Sequence, residues 1–236
     1  MNELEERTKR DRQREILHKF IDGPVDFLIK HNISPNLLSY IGFICSLIAA
    51  LLIAIGFVHY PIWFSWMVPF SIFWSGTFDV FDGEVARRTS GESQSGAFLD
   101  SNLDRLSDIA LIIGMIYGNL LNFLLGFLII FLIIMVSYTR SRAENEGVDM
   151  KGVGLMERAE RFIYIMFIIS IESWIYFLCW ILPENQVLFL ISKYFFLIFI
   201  GIFLLLLILT LVQRFVYTFK DLKNSVVHVE QMVHVE

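Results

Sequence analysis

The chain has 236 residues, 56% of them hydrophobic, and a mean hydropathy of +0.62. Its apolar residues form long runs, such as those beginning at Leu37 and Tyr194. This excludes an ordinary soluble domain, and short alternating β-barrel segments are not seen. The net charge of −5 does not decide orientation, which depends on where Lys and Arg lie.

The N-terminal segment is charged and has no apolar stretch beside a small-residue cleavage site, so it is not typical of a signal peptide. Between residues 3 and 31, apolar side chains recur at helical spacing opposite a basic face. We expect an amphipathic helix lying along the cytoplasmic membrane surface, with a solvated charged helix as the alternative. The apolar residues are Ile16, Leu17, Phe20, Ile21 and Val25, and the basic ones are Arg12, Arg14 and Lys19.

Six apolar segments follow, each close to the roughly 20 residues that a membrane-spanning helix needs. They predict an all-α polytopic membrane protein, a six-transmembrane-helix bundle behind the N-terminal interfacial amphipathic helix. The predicted spans are 36–58, 61–86, 96–118, 119–142, 156–182 and 187–216. Cys45 and Cys179 fall inside spans, and nothing indicates a disulfide framework or a zinc site.

The N-terminal segment, the 87–95 loop, the 140–161 region and the C-terminal tail contain nearly all of the Lys and Arg residues, and Lys193 is the clearest exception. The positive-inside rule therefore predicts that both termini are cytoplasmic, in a protein of the cell membrane. We expect three parts. They are a juxtamembrane segment (1–33), a six-helix domain (34–219) and a cytoplasmic tail (220–236).

Four aspartates lie at the junction of the second and third spans. Asp79 and Asp82 are three residues apart, and Asp100 and Asp104 are four apart, so each pair lies on one helix face. Carboxylates that converge near hydrocarbon repel one another and need a counter-charge. A hard divalent cation with oxygen ligands supplies it, and two ions can share four carboxylates.

The alternative is that these aspartates cap helices or pair with Arg87, Arg88 and Arg105. Small residues favour a ligand site, because Gly83, Gly96 and Ala86 let a ligand approach the backbone. Arg87, one turn after Gly83, could face a phosphate. Close helix packing in the membrane is the alternative for the glycines.

Together, Asp79-x-x-Asp82-Gly83-x-x-Ala86-Arg87, eight further residues, and Gly96-x-x-x-Asp100-x-x-x-Asp104 resemble the complete signature of the CDP-alcohol phosphotransferases. The resemblance implies transfer of a phosphatidyl-type group from a CDP-linked lipid to an alcohol, with release of CMP. It implies that the four aspartates hold Mg²⁺ or Mn²⁺, as two ions, and that Asp104 is the general base. It further implies a CDP-lipid pocket formed by Asp82 and by Ser34, Pro35, Asn36, Leu37, Gly83, Ala86, Arg87, Ser93 and Gly96.

A second group of polar residues is basic and lies near the cytoplasmic ends of the last three spans. Its members are Arg140, Arg142, Lys151, Arg158, Arg161 and Arg214. Positive-inside topology alone explains basic residues here, whereas an ordered pocket for a phosphate dianion is the sharper interpretation.

This basic segment is similar to the branch of the family that makes phosphatidylinositol phosphate or its archaeal ether-lipid counterpart. That similarity implies CDP-diacylglycerol or CDP-archaeol as donor and inositol 1-phosphate as acceptor. Glycerol 3-phosphate, serine and free inositol are alternative acceptors. It also implies a homodimer among membrane lipids, and we expect no nucleic-acid partner.

Two other classes of membrane protein also place carboxylates within the membrane. A cation- or proton-coupled transporter uses them, but usually near the midplane and with paired repeats. An intramembrane aspartyl protease would need one aspartate on each of two spans rather than two pairs. The position and pairing of the four aspartates therefore favour neither class.

Overall fold

The computed structural model describes residues 21–60, 62–89, 93–183 and 186–233, and the regular elements in these ranges are helices. The predicted all-α class is confirmed. The six predicted spans overlap with α2, the α3–α4 pair, α5, α6, α7 and α8, but α8 continues beyond the predicted end at residue 216. The elements are α1 (21–30), α2 (Pro35–Ala54), the 3-10 helix η1 (Phe57–His59), α3 (Ile62–Ser65), α4 (Met67–Arg88), α5 (Gln94–Tyr117), α6 (Phe123–Asn145), α7 (Arg158–Ile181) and α8 (Gln186–Val233).

Local sequence explains where several helices begin and end. Pro35 is the first residue of α2, a position where its missing N–H costs nothing. Gly56 follows α2 in the left-handed conformation, with φ of 83°, which glycine adopts without steric cost. The side chain of Asn122 caps α6 by accepting a hydrogen bond from Leu125 N at 2.8 Å.

The second predicted span is divided into α3 and α4 at Trp66. Pro69 explains the division, because it has no N–H to donate to the carbonyl of Ser65, and its ring would clash with that carbonyl. Pro69 is instead tolerated in the first turn of α4, where N–H groups have no partner within the helix.

The chain forms two compact units, and the first contains the described residues of 1–45 and of 74–106. Its core contains Val25 of α1, Leu38 of α2 and Val85 of α4. The apolar face of α1 is therefore packed against protein at Val25, while Phe27 is exposed. Of the residues that predicted the amphipathic helix, Ile16, Leu17, Phe20, Arg12, Arg14 and Lys19 lie outside the described residues.

The second unit contains residues 46–73 and the described residues from 107 onward. In it, α8 packs against α6 and α7, and α7 also packs against η1 and α3. The buried residues of α6 recur every three or four positions, which defines one inward face. Ile129, Ile133, Ile165 and Phe203 are among the fully buried core residues.

Two glycines allow the end of α5 to approach the end of α2 within this unit. A Cβ on Gly114 would lie 2.5 Å from the carbonyl oxygen of Ala50, and one on Gly118 would lie closer still to that of Ile53. No side chain fits at such distances, so backbone contact replaces side-chain packing, as small residues at four-residue spacing allow in membrane helices.

Within the described residues, four helices are long and apolar enough to cross a membrane: α2, α6, α7 and the Tyr194–Asn224 part of α8. α4 and α5 do not belong to this set. They carry the four aspartates of the signature together with several arginines, and these charges lower their hydropathy.

Replacing Gly114 with valine tests this close approach. We expect Gly114→Val to destabilise the folded protein by about 1–3 kcal/mol, or to prevent folding, because the new side chain meets backbone atoms that cannot move aside. Gly201→Val is the matched control, since a Cβ at Gly201 meets nothing within 4 Å. Thermal unfolding in detergent measures both variants, and equal stability would contradict the close packing of α2 and α5.

Candidate functional site

Three of the four signature aspartates lie together in the first unit. Asp79 and Asp82 come from α4 and Asp100 from α5, and one carboxylate oxygen of each lies within 4.8 Å of the other two. Asp104 lies one turn further along α5 and is not part of this group of three. Three carboxylate oxygens at this spacing are a ligand set suited to Mg²⁺ or Mn²⁺.

Asp82 is the buried member of the group, and Asp79 and Asp100 are half-buried. The hydroxyl of Ser39, on α2, donates a hydrogen bond of 2.6 Å to Asp82 Oδ2. Hydrogen bonds from the Ser39 hydroxyl and the Gly83 backbone do not compensate for burying a carboxylate beside two others. The carboxylate group is therefore electrostatically unfavourable by itself and favours a bound cation.

Ser39 was not predicted as a site residue. It lies four residues after Pro35 and donates also to the Pro35 carbonyl at 3.3 Å. Its position on the same α2 segment as the predicted nucleotide residues was the only available signal.

Part of the predicted nucleotide pocket also comes together in this unit. Ser93 Oγ accepts a hydrogen bond of 3.0 Å from Gly96 N. A Cβ on Gly96 would lie 3.0 Å from Ser93 Oγ and 3.3 Å from Asn36 Oδ1. Polar groups from the starts of α2 and α5 therefore surround a position where the backbone is accessible because residue 96 is glycine.

The remaining predicted residues of this pocket lie at the start of α2 and on α4. Ser34 precedes α2 and accepts a hydrogen bond of 3.4 Å from Leu37 N, as an N-terminal capping residue does. Pro35 and Leu37 are in the first turn of α2, and Ala86 is half-buried on α4, one turn after Asp82.

Arg87 folds back along α4. Its Nη2 lies 2.7 Å from Glu84 Oε2, and its guanidinium covers Gly83, where an added Cβ would lie 3.5 Å from Arg87 Nη1. Arg105 donates to the carbonyl and hydroxyl oxygens of Ser101. These contacts give both arginines partners outside the signature aspartates.

Arg88 connects α1 to α4. It forms ion pairs with Glu84 at 2.8 Å, with Asp26 at 3.1 Å and with Asp22. Hydrogen bonds to Asp22 and then to Glu84 raise the pKa of the Arg88 guanidinium above its usual value. The third arginine of the alternative interpretation therefore also has carboxylate partners of its own.

In the second unit, the predicted basic residues divide into a set that is exposed or half-buried and a set that is buried. Arg140 pairs with Glu144 at 2.9 Å and Arg142 with Glu146 along the end of α6. The Lys151 side chain is exposed, and Arg158 lies 6.0 Å from the centre of the Phe162 ring. Exposed i,i+4 pairs such as these contribute little stability, so a phosphate can compete for the arginines.

Arg161 and Arg214 form the buried set. Arg161 Nη2 lies 2.7 Å from Asp108 Oδ2. Arg214 donates to the carbonyl oxygens of Val153 at 2.9 Å and Val136 at 2.8 Å. Positive-inside topology does not account for buried arginines, because it requires only exposed basic residues.

The loop between α6 and α7 lies against α8. Met156 N donates to Thr210 Oγ1 at 3.0 Å. Gly154 has φ of 120°, and a Cβ there would lie 2.7 Å from Thr210 Cγ2. Together with Arg214, these contacts hold the loop that carries Lys151 and leads into Arg158.

Two buried carboxylates were missed by the sequence analysis. Asp108 continues the four-residue spacing of Asp100 and Asp104, which was a usable signal. Glu172 lies inside α7, where its Oε1 is 3.2 Å from His59 Nε2. A lone glutamate in an apolar helix was its signal, since such residues are costly in a membrane.

Comparison with solved structures shows the fold. The structure of Mycobacterium tuberculosis phosphatidylinositol phosphate synthase with CDP-DAG bound is similar, with a TM-score of 0.66 and 21% identity, covering 85% of this chain and 94% of that chain. The same enzyme in complex with manganese and citrate gives a TM-score of 0.67 over 84% of this chain and 88% of that one, also at 21% identity.

Relatives found by sequence share a higher identity with this chain than those solved structures do. The archaetidylinositol phosphate synthase of Methanothermobacter thermautotrophicus is 46% identical over 92 residues, which are 39% of this chain and 47% of that protein. The synthase of the same name from Pyrococcus horikoshii is 35% identical over 160 residues, or 62% of this chain and 80% of that one. The chain thus matches about half the length of the first relative and most of the second.

The family resemblance of the signature is confirmed by a family model. The model described as CDP-alcohol phosphatidyltransferase matches residues 32–220, a range that includes both the acidic group and the basic residues. The apolar helices of this chain, together with this match, show that it is an integral membrane protein. The chain belongs to the CDP-alcohol phosphatidyltransferase family.

Proposed function

We propose that this protein transfers a phosphatidyl-type group from a CDP-linked lipid to a phosphorylated polyol, inositol 1-phosphate, and releases CMP. The acceptor hydroxyl oxygen bonds to the phosphorus that carries the lipid, the bond from that phosphorus to the CMP oxygen breaks, and CMP leaves with the electron pair. The observation that carries the proposal is the convergence of Asp79, Asp82 and Asp100 within 4.8 Å at the spacing of the family signature.

These three residues would hold Mg²⁺ or Mn²⁺, with Asp104 completing a set for two ions. When bound, the ions neutralise charge on the diphosphate and on the leaving CMP. Ser39 orients the Asp82 carboxylate through its 2.6 Å hydrogen bond. Asp104 takes the proton of the acceptor hydroxyl, and correct positioning of the two groups lowers the barrier to this transfer.

The CDP part of the donor is assigned to the segments around Gly83 and Gly96. Ser34, Asn36 and Ser93 offer polar groups there, and the two glycines let the ligand approach the backbone. Arg87 would exchange its contact with Glu84 for a donor phosphate, a bond between a guanidinium and a phosphate that is stronger when it is bidentate.

The acceptor phosphate is assigned to the basic residues of the second unit. Arg140, Arg142, Lys151 and Arg158 have partly exposed side chains, and Arg161 and Arg214 are fixed by neighbouring groups. A neutral acceptor such as serine would not need this charge. The names of the relatives favour inositol phosphate, and the archaeal ones favour CDP-archaeol over CDP-diacylglycerol; glycerol 3-phosphate remains the alternative acceptor.

For the membrane arrangement, we propose six spans with both termini and the active site cytoplasmic. α4 and α5 have 22 and 24 residues, or about 33–36 Å of helix, enough for a hydrocarbon core of about 30 Å. Residues 1–33 would lie along the membrane, 34–219 would form the catalytic domain and 220–236 the tail. A homodimer is expected from the family.

The assignment is tested by CMP release from CDP-archaeol and from CDP-diacylglycerol by the purified protein. We expect release with inositol 1-phosphate, its loss on addition of EDTA, and its return with Mg²⁺ or Mn²⁺, because carboxylate oxygens bind these ions. Release only with glycerol 3-phosphate, serine or free inositol would reject the acceptor and keep the reaction. No release with any of them from folded, metal-loaded protein would reject the function.

Asp104→Asn tests the general base. We expect turnover to fall by at least about 100-fold, the usual size of a general-base contribution, while binding of the CDP-lipid changes little. Asp149→Asn, at an exposed loop carboxylate, is the matched control and should retain activity. Normal turnover in Asp104→Asn would remove Asp104 from the role of base.

Arg142→Ala tests the acceptor site. We expect the KM for the phosphorylated acceptor to rise about tenfold or more and the KM for the CDP-lipid to stay within about twofold, since a charged hydrogen bond to phosphate contributes about 1.5–3 kcal/mol. Lys223→Ala, an exposed basic residue on α8, controls for lost positive charge. Equal effects on both KM values would place Arg142 outside the acceptor site.

A further inference from the structure

A buried polar cluster in the second unit is not explained by phosphate binding alone. Asp108 of α5 is 1% exposed, Arg161 of α7 is 4% exposed, and their side chains are joined at 2.7 Å between Oδ2 and Nη2. Arg161 Nη1 also donates to the carbonyl of Met156 at 3.3 Å. The charge of Arg161 is therefore already largely neutralised by a carboxylate that is equally inaccessible to solvent.

Three buried atoms of this cluster have no hydrogen-bond partner among the described residues. They are Asp108 Oδ1, Arg161 Nε and Glu157 Oε1. Glu157 directly precedes α7 but makes no side-chain capping bond, so helix capping does not use its carboxylate. Glu157 lies one turn before Arg161, and its backbone carbonyl accepts a hydrogen bond of 3.1 Å from Arg161 N.

The chemistry of these atoms indicates which ligand would satisfy them. Two are carboxylate oxygens, which can only accept, and one is a guanidinium N–H, which can only donate. A phosphate dianion offers acceptors only, and carboxylates repel it. A hydroxyl group both donates and accepts, so neighbouring hydroxyls on one ligand can satisfy the carboxylate oxygens and the N–H together.

We propose that Asp108 and Glu157 form a subsite for the ring hydroxyls of a polyol acceptor. The inference rests on the proposed function and adds the residues that distinguish a polyol phosphate from other phosphates. In this subsite Asp108 has two roles. Its Oδ2 fixes Arg161, and its Oδ1 accepts a hydrogen bond from a hydroxyl whose oxygen in turn accepts from Arg161 Nε.

The deciding experiment compares inositol 1-phosphate with a series of its monodeoxy analogues in the CMP-release assay. In wild-type protein, loss of a contacted hydroxyl should raise the acceptor KM about tenfold, because a charged acceptor is left buried and unsatisfied. In Asp108→Asn or Glu157→Gln, the KM for inositol 1-phosphate should be raised already, and one deoxy analogue should cause no further rise. The KM for the CDP-lipid should stay within about twofold, since the donor does not contact these hydroxyl-binding groups.

Glu160→Gln is the matched control for Glu157→Gln, since Glu160 is an exposed carboxylate in the first turn of α7. It should retain the wild-type response to every analogue. Because Asp108→Asn removes the partner of a buried arginine and can prevent folding, thermal unfolding in detergent is measured first. If that variant is unfolded, the Glu157→Gln comparison decides alone.

For each analogue, the rise in acceptor KM caused by the substitution can be compared with the rise caused by the missing hydroxyl. If the two factors multiply for every analogue, the carboxylates and the hydroxyls act independently and the subsite is overturned. An unchanged acceptor KM in folded variants would overturn it as well and leave the orphaned atoms to buried water. Wild-type protein that releases no CMP with inositol 1-phosphate would reject the proposed acceptor itself, which is a different result from active protein with unaffected variants.

Discussion

The repulsion among Asp79, Asp82 and Asp100 is the constraint on which the first unit depends. Three carboxylate oxygens within 4.8 Å of one another, one of them on a buried residue, repel one another, and the repulsion is costly without a compensating charge. The rest of the unit keeps them there: Ser39 donates to Asp82, and Gly42 lets α2 approach α4 so closely that a Cβ would lie 3.2 Å from the carbonyl of Ser75. This geometry is therefore suited to a bound cation.

The same carboxylates explain why α4 and α5 have low hydropathy, although the proposed arrangement has both helices span the membrane. The aspartates of α4 and α5 reduce the hydropathy of these two helices, which fall outside the set that is apolar enough to span a membrane by composition. The long apolar stretches of α6 and α8 carry their charged residues mainly near the helix ends, and both helices belong to that set. Charged residues at membrane depth are expensive, and they persist where a site requires them.

Long apolar runs predicted the helices well, because a membrane helix must satisfy its backbone hydrogen bonds internally. The break at Trp66 was missed, although Pro69 was a readable signal for it. The placing of each aspartate pair on one helix face could be predicted from two short helical spacings, and the structure brings together three of the four aspartates, Asp79, Asp82 and Asp100. The buried contacts of Arg161 and Arg214 could not be predicted, because their partners Asp108 and Val136 lie 53 and 78 residues away along the chain and meet them only through tertiary packing.

The two units differ in how they compensate buried charges, and this difference affects which ligands each unit can bind. The first collects like charges and so favours an external cation. The second joins Asp108 to Arg161 in a buried ion pair and holds His59 Nε2 3.2 Å from Glu172 Oε1, so its buried carboxylates have partners within the protein. What remains there is directional hydrogen bonding from single unsatisfied atoms, together with the partly exposed arginines of the α6 end. Such a combination can recognise a ligand by both its charge and its hydroxyl groups, whereas a purely basic surface would recognise charge alone.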